Sequence, residues 1–382
     1  MSEPGISLCT YTYNDAELVR ELLRSLREWQ IRPEEVIVVD DGSQVPFEPE
    51  TVQPGLRIIR LERNHGITAA KRAGLSAARG AALLSVDCDT RLAPDWLAVS
   101  LPNLLREGVG LAGGTLIHAT GRDLVARFLE CFGDPCNAAH CGPVEFVPGN
   151  AFLMRRSTWR DIGGFAAYSE PRCQDHYLCR RLAEKGYTLY SDSRARAVQL
   201  RRIARATMCR RTWAWCRRRM QAQLPPGAAL PSYLKLMVLE PMLGRFTIAL
   251  DRREPLFFYL DLLYMAYAAL ELIDHALALS LAPAALRDGF ARSLARLFAG
   301  TPRLWRLYSA DLALLGHRTL MPPDGDEAAW ADFFRFADAL RNSGLFDLLE
   351  RCGVDQLLKE DRGGPRATNW TRAALPTSRR LQ

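Results

Sequence analysis

The segment Glu35-Val36-Ile37-Val38-Val39-Asp40-Asp41-Gly42-Ser43 constrains this chain more than any other. Four apolar residues in a row suit a strand buried on both faces, the situation of a strand inside a parallel sheet. Parallel strands need crossover connections, and the flanking sequence supplies them. Residues 6–11 read as a first strand. Asn14 or Asp15 caps a following helix whose apolar stripe is Leu18, Val19, Leu22, Leu23 and Leu26. Residues 56–61 form a third strand, Asn64-His65-Gly66 a turn, residues 67–79 an alanine-rich helix stopped by Gly80, and residues 81–86 a fourth strand. This order predicts an α/β fold with a mostly parallel sheet. In such sheets ligands lie beyond the carboxyl ends of the strands. Tyr11, Tyr13, Asp40, Asp41, Asp87 and Asp89 all fall at those ends.

Asp87-Cys88-Asp89 closes the fourth strand. Alternate residues of a strand share a face, so both carboxylates would point the same way if the strand continued, and at its end they still converge on one ion. Hard oxygen ligands suit Mg²⁺ or Mn²⁺, which share their shell with water and substrate phosphate. The expectation is an enzyme that handles a diphosphate.

Further along, residues 94–106 read as a helix, 109–117 as a strand, 145–154 as a turn feeding a strand, and 187–190 as a last short strand. Gln174-Asp175-His176-Tyr177-Leu178-Cys179-Arg180-Arg181-Leu182 places Leu178 and Leu182 on one face, so Asp175 lies in the first turn of a helix. Pro225-Pro226-Gly227 marks a boundary, after which the pattern is helical. The expected domains are residues 1–222, an α-helical C-terminal domain over 223–361, and a disordered tail over 362–382, rich in Gly, Pro, Thr and Arg. Residues 256–281 are long enough to span a bilayer, but Asp261, Glu271, Asp274 and His275 within them argue for a buried helix.

The net charge of +7 favours anionic partners such as nucleotides, phosphates or a membrane surface. Residues 201–220 concentrate arginines. Cys209, Trp213, Cys216 and Met220 make an apolar stripe with Arg210, Arg211, Arg217 and Arg218 off it. That is a packed helix with a solvated basic face, or a peripheral contact to an anionic lipid surface. No groove-reading or base-stacking module accompanies it, so nucleic acid is not an expected partner. The first residues lack the basic start and apolar run of a secretory signal, and the ten cysteines include no Cys-x-x-Cys pair. Both point to reduced thiols and a cytoplasmic location. Cys131, Cys136, His140 and Cys141 fit no zinc-finger spacing, His118, His140 and His176 read as structural, and the sequon at Asn369 reads as chance.

Tyr11-Thr12-Tyr13-Asn14-Asp15, Val38-Val39-Asp40-Asp41-Gly42-Ser43, Asn64-x-Gly66 with Ala69-Ala70-Lys71-Arg72-Ala73-Gly74, Asp87-x-Asp89, Gly149-Asn150-Ala151-Phe152 with Gly163-Gly164-Phe165, and Gln174-Asp175-x-x-Leu178 occur in this order. Over residues 1–220 the chain thereby resembles the family 2 glycosyltransferases of GT-A fold. The resemblance implies that Tyr11 and Tyr13 flank a nucleotide base and that Asp41 accepts a hydrogen bond from it. It also implies that Lys71, in place of the family's usual Arg, neutralises diphosphate, that Asp87 and Asp89 hold ribose and metal, and that Asp175 is the catalytic base. Gln174 replaces the family's usual Glu, and Gln199 stands where a metal-binding His is common. The implied reaction is a metal-dependent, inverting transfer of sugar from a nucleotide-diphosphate sugar, UDP favoured, to a hydroxyl of a glycan, lipid-linked or protein acceptor, as in polysaccharide biosynthesis. Mn²⁺ or Mg²⁺ would be held by Asp89 and Gln199. No Gln-x-x-Arg-Trp motif is present, which argues against a processive synthase. Two other readings are a sugar-phosphate nucleotidyltransferase, which wants a glycine-rich phosphate loop that residues 8–14 lack, and a non-catalytic nucleotide-sugar-binding scaffold.

Overall fold

The strand Glu35–Asp40 shows why the sheet forms: Val36 and Val38 pack into one apolar layer and Ile37 and Val39 into the other, all buried. The structure, a computed structural model, describes residues 5–51, 54–118, 123–132, 141–170, 173–251, 253–318 and 326–361. Cys136, His140, Asn369 and the 362–382 stretch lie outside them. Two compact units result, one ending at Arg202 and one beginning at Ile203, with Asp123–Val125 grouped with the second. The helix after residue 204 therefore falls with the second unit, whereas the sequence placed the boundary after 222.

The first unit is built on a nine-stranded sheet. Its strands are β1 (Ile6–Thr12), β2 (Glu35–Asp40), β3 (Leu56–Arg60), β4 (Ala82–Val86), β5 (Thr90–Leu92), β6 (Val109–His118), β7 (Cys141–Val144), β8 (Ala151–Arg155) and β9 (Thr188–Gln199). The order is β3-β2-β1-β4-β8-β6-β9-β5, with β7 on β9. The pairs β3-β2, β2-β1, β1-β4 and β6-β9 are parallel, and β4-β8, β8-β6, β9-β5 and β7-β9 are antiparallel. The expected α/β class holds. The continuous parallel run, however, stops at β4, because β8 inserts antiparallel between β4 and β6 and makes the sheet mixed.

Helices cover both faces. Val19, Leu22 and Leu23 of α1 (Ala16–Ser25) are buried with Ile6, Leu8, Val36 and Leu84. On the other face, α2 (Ile67–Ala77) contributes Ala70 and Leu75 to a layer with Cys9, Ile37 and Leu83. The helices α3 (Trp96–Leu104), α4 (Leu124–Phe132), α5 (Arg156–Asp161) and α6 (Gln174–Glu184) follow. The β4–β8 register places Val86 opposite Ala151, so the residues just after β4 face those just before β8. One bond fixes this meeting: Asp87 N–H donates to the carbonyl of Asn150 at 2.8 Å.

The second unit is helical, as expected. Its longest helix, Pro255–Ala278, is the one described helix long and apolar enough to cross a membrane, and 89% of its most apolar window is buried in protein. A further helix of this unit is Pro302–Leu314. In Arg205–Gln221 the residues Met208, Cys209, Trp213 and Met220 are buried and Arg210, Arg217 and Arg218 are exposed, while Cys216 and Arg211 are both half-buried, so the expected amphipathic division holds for most of its residues. Arg205 is buried and chelates Asp311 at 2.8 and 3.1 Å, and Tyr259 Oη donates to the same carboxylate at 2.6 Å.

Asp261, buried in Pro255–Ala278, takes one hydrogen bond from Arg245 Nε at 2.6 Å, and its second oxygen has no partner among the described residues. Burial outweighs the guanidinium and pushes this carboxyl from 3.8 up to about 6. A raised native value favours the protonated, folded form. Its stabilisation is complete below the unfolded value and is lost as pH rises through about 6. Between those limits the loss amounts to about 3 kcal/mol. Thermal melts from pH 4 to pH 7 are expected to show wild type losing stability relative to Asp261→Asn. Parallel curves for the two proteins would contradict this.

Candidate active site at the carboxyl edge of the sheet

Asp40 and Asp41 end β2 and divide the work. Asp40 accepts from the Ser43 and Phe47 backbone N–H groups at 2.9 Å each and pairs with Arg60. Burial acts to raise its carboxyl, but these donors prevail and hold it below the usual carboxylate range. It is the turn-builder. Asp41 accepts from His65 N–H at 2.9 Å and Gly66 N–H at 2.8 Å, one on each oxygen. That fixes the 64–66 turn in front of α2. Gly42 serves the same turn: its φ is +72°, and a Cβ there would lie 2.4 Å from the carbonyl carbon of Arg63.

β4 does not continue through Asp87 and Asp89. They lie in a turn closed by Thr90 N–H donating to Asp87 O at 2.9 Å. The two carboxylates take different partners there. Asp87 pairs with Lys71 Nζ at 2.8 Å. Asp89 turns to the end of β9, where its Oδ2 accepts from Gln199 Nε2 and from Arg201 Nε, both at 3.0 Å. Arg201 also donates from Nη2 to Asp15 at 2.7 Å. Leu200 N–H donates to Asp89 O at 2.7 Å and holds this segment against the turn.

Lys71 is buried, with 2% of its side chain exposed, so it is not the solvated helical lysine that its position in α2 permits. Its Nζ also donates to the carbonyl of Gly149 and lies 5.6 Å from the centre of the Tyr11 ring. Burial pushes Asp87 above the usual carboxylate range, the Lys71 ammonium opposes this, and Asp89 adds to it. Burial, with Asp87 and Asp89 close by, also raises the Tyr11 phenol far above its ordinary value. Tyr11 thus sits on the Lys71–Asp87 side, while Tyr13 is 42% exposed beyond the strand.

Asp175 opens α6 beside this cluster. Its Oδ2 accepts from Gly149 N–H at 3.3 Å and its Oδ1 from His176 N–H at 3.0 Å. Gln174 is buried next to it. Cys173, at φ +62°, turns the chain sharply into the helix. A Cβ on Gly149 would lie 3.1 Å from Asp175 Cβ and 3.3 Å from Asp175 Oδ2. Gly149→Ala is expected to displace the carboxylate and lower kcat about tenfold. Nucleotide affinity should stay unchanged, as steady-state kinetics with an equilibrium titration will reveal.

The structure brings together Tyr11, Lys71, Asp87 and Asp175 in one network, and Asp89 with Gln199 in a second. Sequence reasoning did not assign Arg201, which lay unremarked in an arginine-rich stretch, or the two-sided role of Gly149, which it held only as part of a motif. As arranged, these residues do not fit a divalent cation. Asp89 meets a guanidinium and an amide N–H, Asp87 meets an ammonium, and the Gln199 amide turns a donor rather than an oxygen to Asp89. No group of three or more His, Cys, Asp or Glu side chains placed to hold a metal ion occurs among the described residues.

An α/β sheet that gathers carboxylates and cations at the carboxyl ends of β1, β2 and β4 belongs to the class of domains that bind ligands at that edge. Residues 7–164 match the model for Glycosyl transferase family 2, and this part of the chain is a family 2 glycosyltransferase domain. The "Pre-mycofactocin glycosyltransferase" of Mycobacterium tuberculosis is 29% identical over 186 residues, 46% of this chain and 38% of that protein. The "Succinoglycan biosynthesis protein ExoO" of Rhizobium meliloti is 31% identical over 127 residues, 32% of this chain and 36% of that protein. The chain thus spans well under half the length of these curated relatives. Among solved structures, the mannosyltransferase PcManGT of Pyrobaculum calidifontis in complex with GDP-Man and Mn²⁺ aligns over 90% of this chain and 88% of its own, with a TM-score of 0.42 and 19% identity. Staphylococcus aureus TarS 1–349 aligns over 81% and 91%, with a TM-score of 0.43 and 16% identity. Family membership rests on the residues 7–164 match and not on these distant likenesses.

Proposed function

We propose that this protein transfers a sugar from a nucleotide-diphosphate sugar to a hydroxyl of a glycan, lipid-linked or protein acceptor, with inversion at the anomeric carbon. The observation that carries the reading is the position of Gly149: its N–H holds Asp175 and its carbonyl holds Lys71. A carboxylate and a diphosphate-neutralising cation are thereby kept one residue apart at the edge where α/β domains bind ligands. The family 2 domain and the glycosyltransferase names of relatives support the same reading.

In this mechanism Asp175 takes the proton of the acceptor hydroxyl as its oxygen attacks the anomeric carbon. The bond from that carbon to the diphosphate oxygen breaks on the opposite face, and the nucleoside diphosphate leaves with the electron pair. Lys71 offsets charge on the departing group. Asp41 and Tyr13 are assigned to the nucleotide, with UDP favoured by the family resemblance. The exposed arginines of Arg205–Gln221 are assigned, on charge alone, to a peripheral membrane contact.

The test is a thermal-shift screen of the purified protein against UDP, GDP, dTDP and CDP, each in EDTA and in Mn²⁺. A ligand at a hundred times its dissociation constant stabilises the fold by about 2.7 kcal/mol, which is visible in melting. Stabilisation by one of the four supports the reading and identifies the nucleotide. No shift with any of them in either condition defeats it.

A further inference from the structure

Resting on the nucleotide-sugar reading, we propose that Arg201 is a diphosphate-binding residue, and that its guanidinium supplies at Asp89 the positive charge that a divalent cation would otherwise bring to the leaving group.

Three observations carry this. First, Arg201 is already the cation at Asp89, with Nε 3.0 Å from Oδ2, and Asp15 steadies the same guanidinium through Nη2 at 2.7 Å. Second, the guanidinium has donors to spare. Arginine carries five N–H groups. Among the described residues the Nε–H and one Nη2–H are engaged, which leaves the second Nη2–H and both on Nη1. Third, it has access. The Arg201 side chain is 46% exposed, against 2% for Lys71, whose ammonium is committed to Asp87 and the Gly149 carbonyl. A planar fork with an open edge matches phosphate oxygens two at a time, which a buried ammonium does not. Asp15 and Asp89 orient the fork and keep it from collapsing onto the surface. Gln199 reinforces the arrangement by donating to the same Asp89 oxygen.

The experiment is calorimetric titration of the full chain with UDP, GDP, dTDP and CDP, in EDTA and again in Mn²⁺. The variants Arg201→Gln and Arg201→Lys are measured alongside wild type. Wild type is expected to bind one of the four in EDTA, with an affinity within about threefold of that in Mn²⁺. Arg201→Gln should weaken that binding about tenfold to a hundredfold, the worth of a charge-assisted contact. Arg201→Lys, which keeps the charge but not the fork, should fall between. Binding that appears only with Mn²⁺, or Arg201→Gln binding as wild type does, overturns the inference and leaves the nucleotide-sugar reading standing. Absence of binding in both conditions overturns the reading and the inference together. Should either variant melt far below wild type, the comparison of EDTA with Mn²⁺ on the wild-type protein decides alone.

Discussion

Replacing Asp175 with Asn is expected to slow sugar transfer by a factor of about a hundred to ten thousand, the usual worth of a positioned general base. The substitution is nearly isosteric. Asn keeps an oxygen that accepts the Gly149 N–H at the turn before β8, and gives up only the second acceptor, which Asp175 offers to the adjacent His176 N–H. What it loses is the capacity to take a proton. The effect should therefore fall on kcat and leave nucleotide affinity within about twofold. Asp175 stands in the first turn of α6. Steady-state kinetics with calorimetric titration separate the two quantities. Transfer at the wild-type rate by Asp175→Asn would remove this residue from the role.

The second large effect is expected at Lys71. Lys71→Met fills a similar volume but strips the ammonium from a site with 2% side-chain exposure. It leaves the Asp87 carboxylate, only 21% exposed, without its cation, and the Gly149 carbonyl without its donor. Breaking a buried ion pair from one side costs about 3–5 kcal/mol, and the partial exposure of Asp87 places the loss near about 3 kcal/mol. For a unit of this size that is a fall of about 10 °C in melting temperature. The double variant Lys71→Met/Asp87→Asn should recover most of it, because the penalty lies in the abandoned charge. If the single variant melts with wild type, the pair is not what holds this edge together.

These expectations rest on a site that was only partly legible in the chain. The parallel half of the sheet was readable because the strands of residues 6–12, 35–40 and 82–86 are apolar on both faces and alternate with amphipathic helices. Asp41, Asp87 and Asp89 could be placed at strand ends for the same reason. The antiparallel entry of β8 was not readable. Its neighbours β4 and β6 are set by pairing across the sheet, which leaves no local period in Ala151–Arg155. Without that insertion nothing announces that Gly149 lies between Lys71 and Asp175. β9 was seen only at its start, since the later residues Asp192-Ser193-Arg194-Ala195-Arg196 break the apolar pattern: Asp192 and Arg196 pair with the successive β6 residues Gly114 and Thr115, and the three residues between them are bulged out of the register. The turn that holds Asp87 and Asp89, and their different partners, escaped notice because an Asp-x-Asp spacing reads identically on a strand and in a turn. Arg201 escaped because one arginine among many carries no spacing of its own.

Gly149 has a consequence for how such a site diversifies. The two peptide planes that meet at its Cα are rigid, and one presents an N–H to Asp175 while the other presents a carbonyl to Lys71. Under the proposed transfer, the reach from acceptor side to donor side is therefore set by backbone geometry at a residue that has no side chain to vary. Substitutions elsewhere can change which sugar, which base or which acceptor is admitted, but they inherit a fixed span. A lineage built on this turn would be free in its choice of substrates and conservative in the distance across which it joins them.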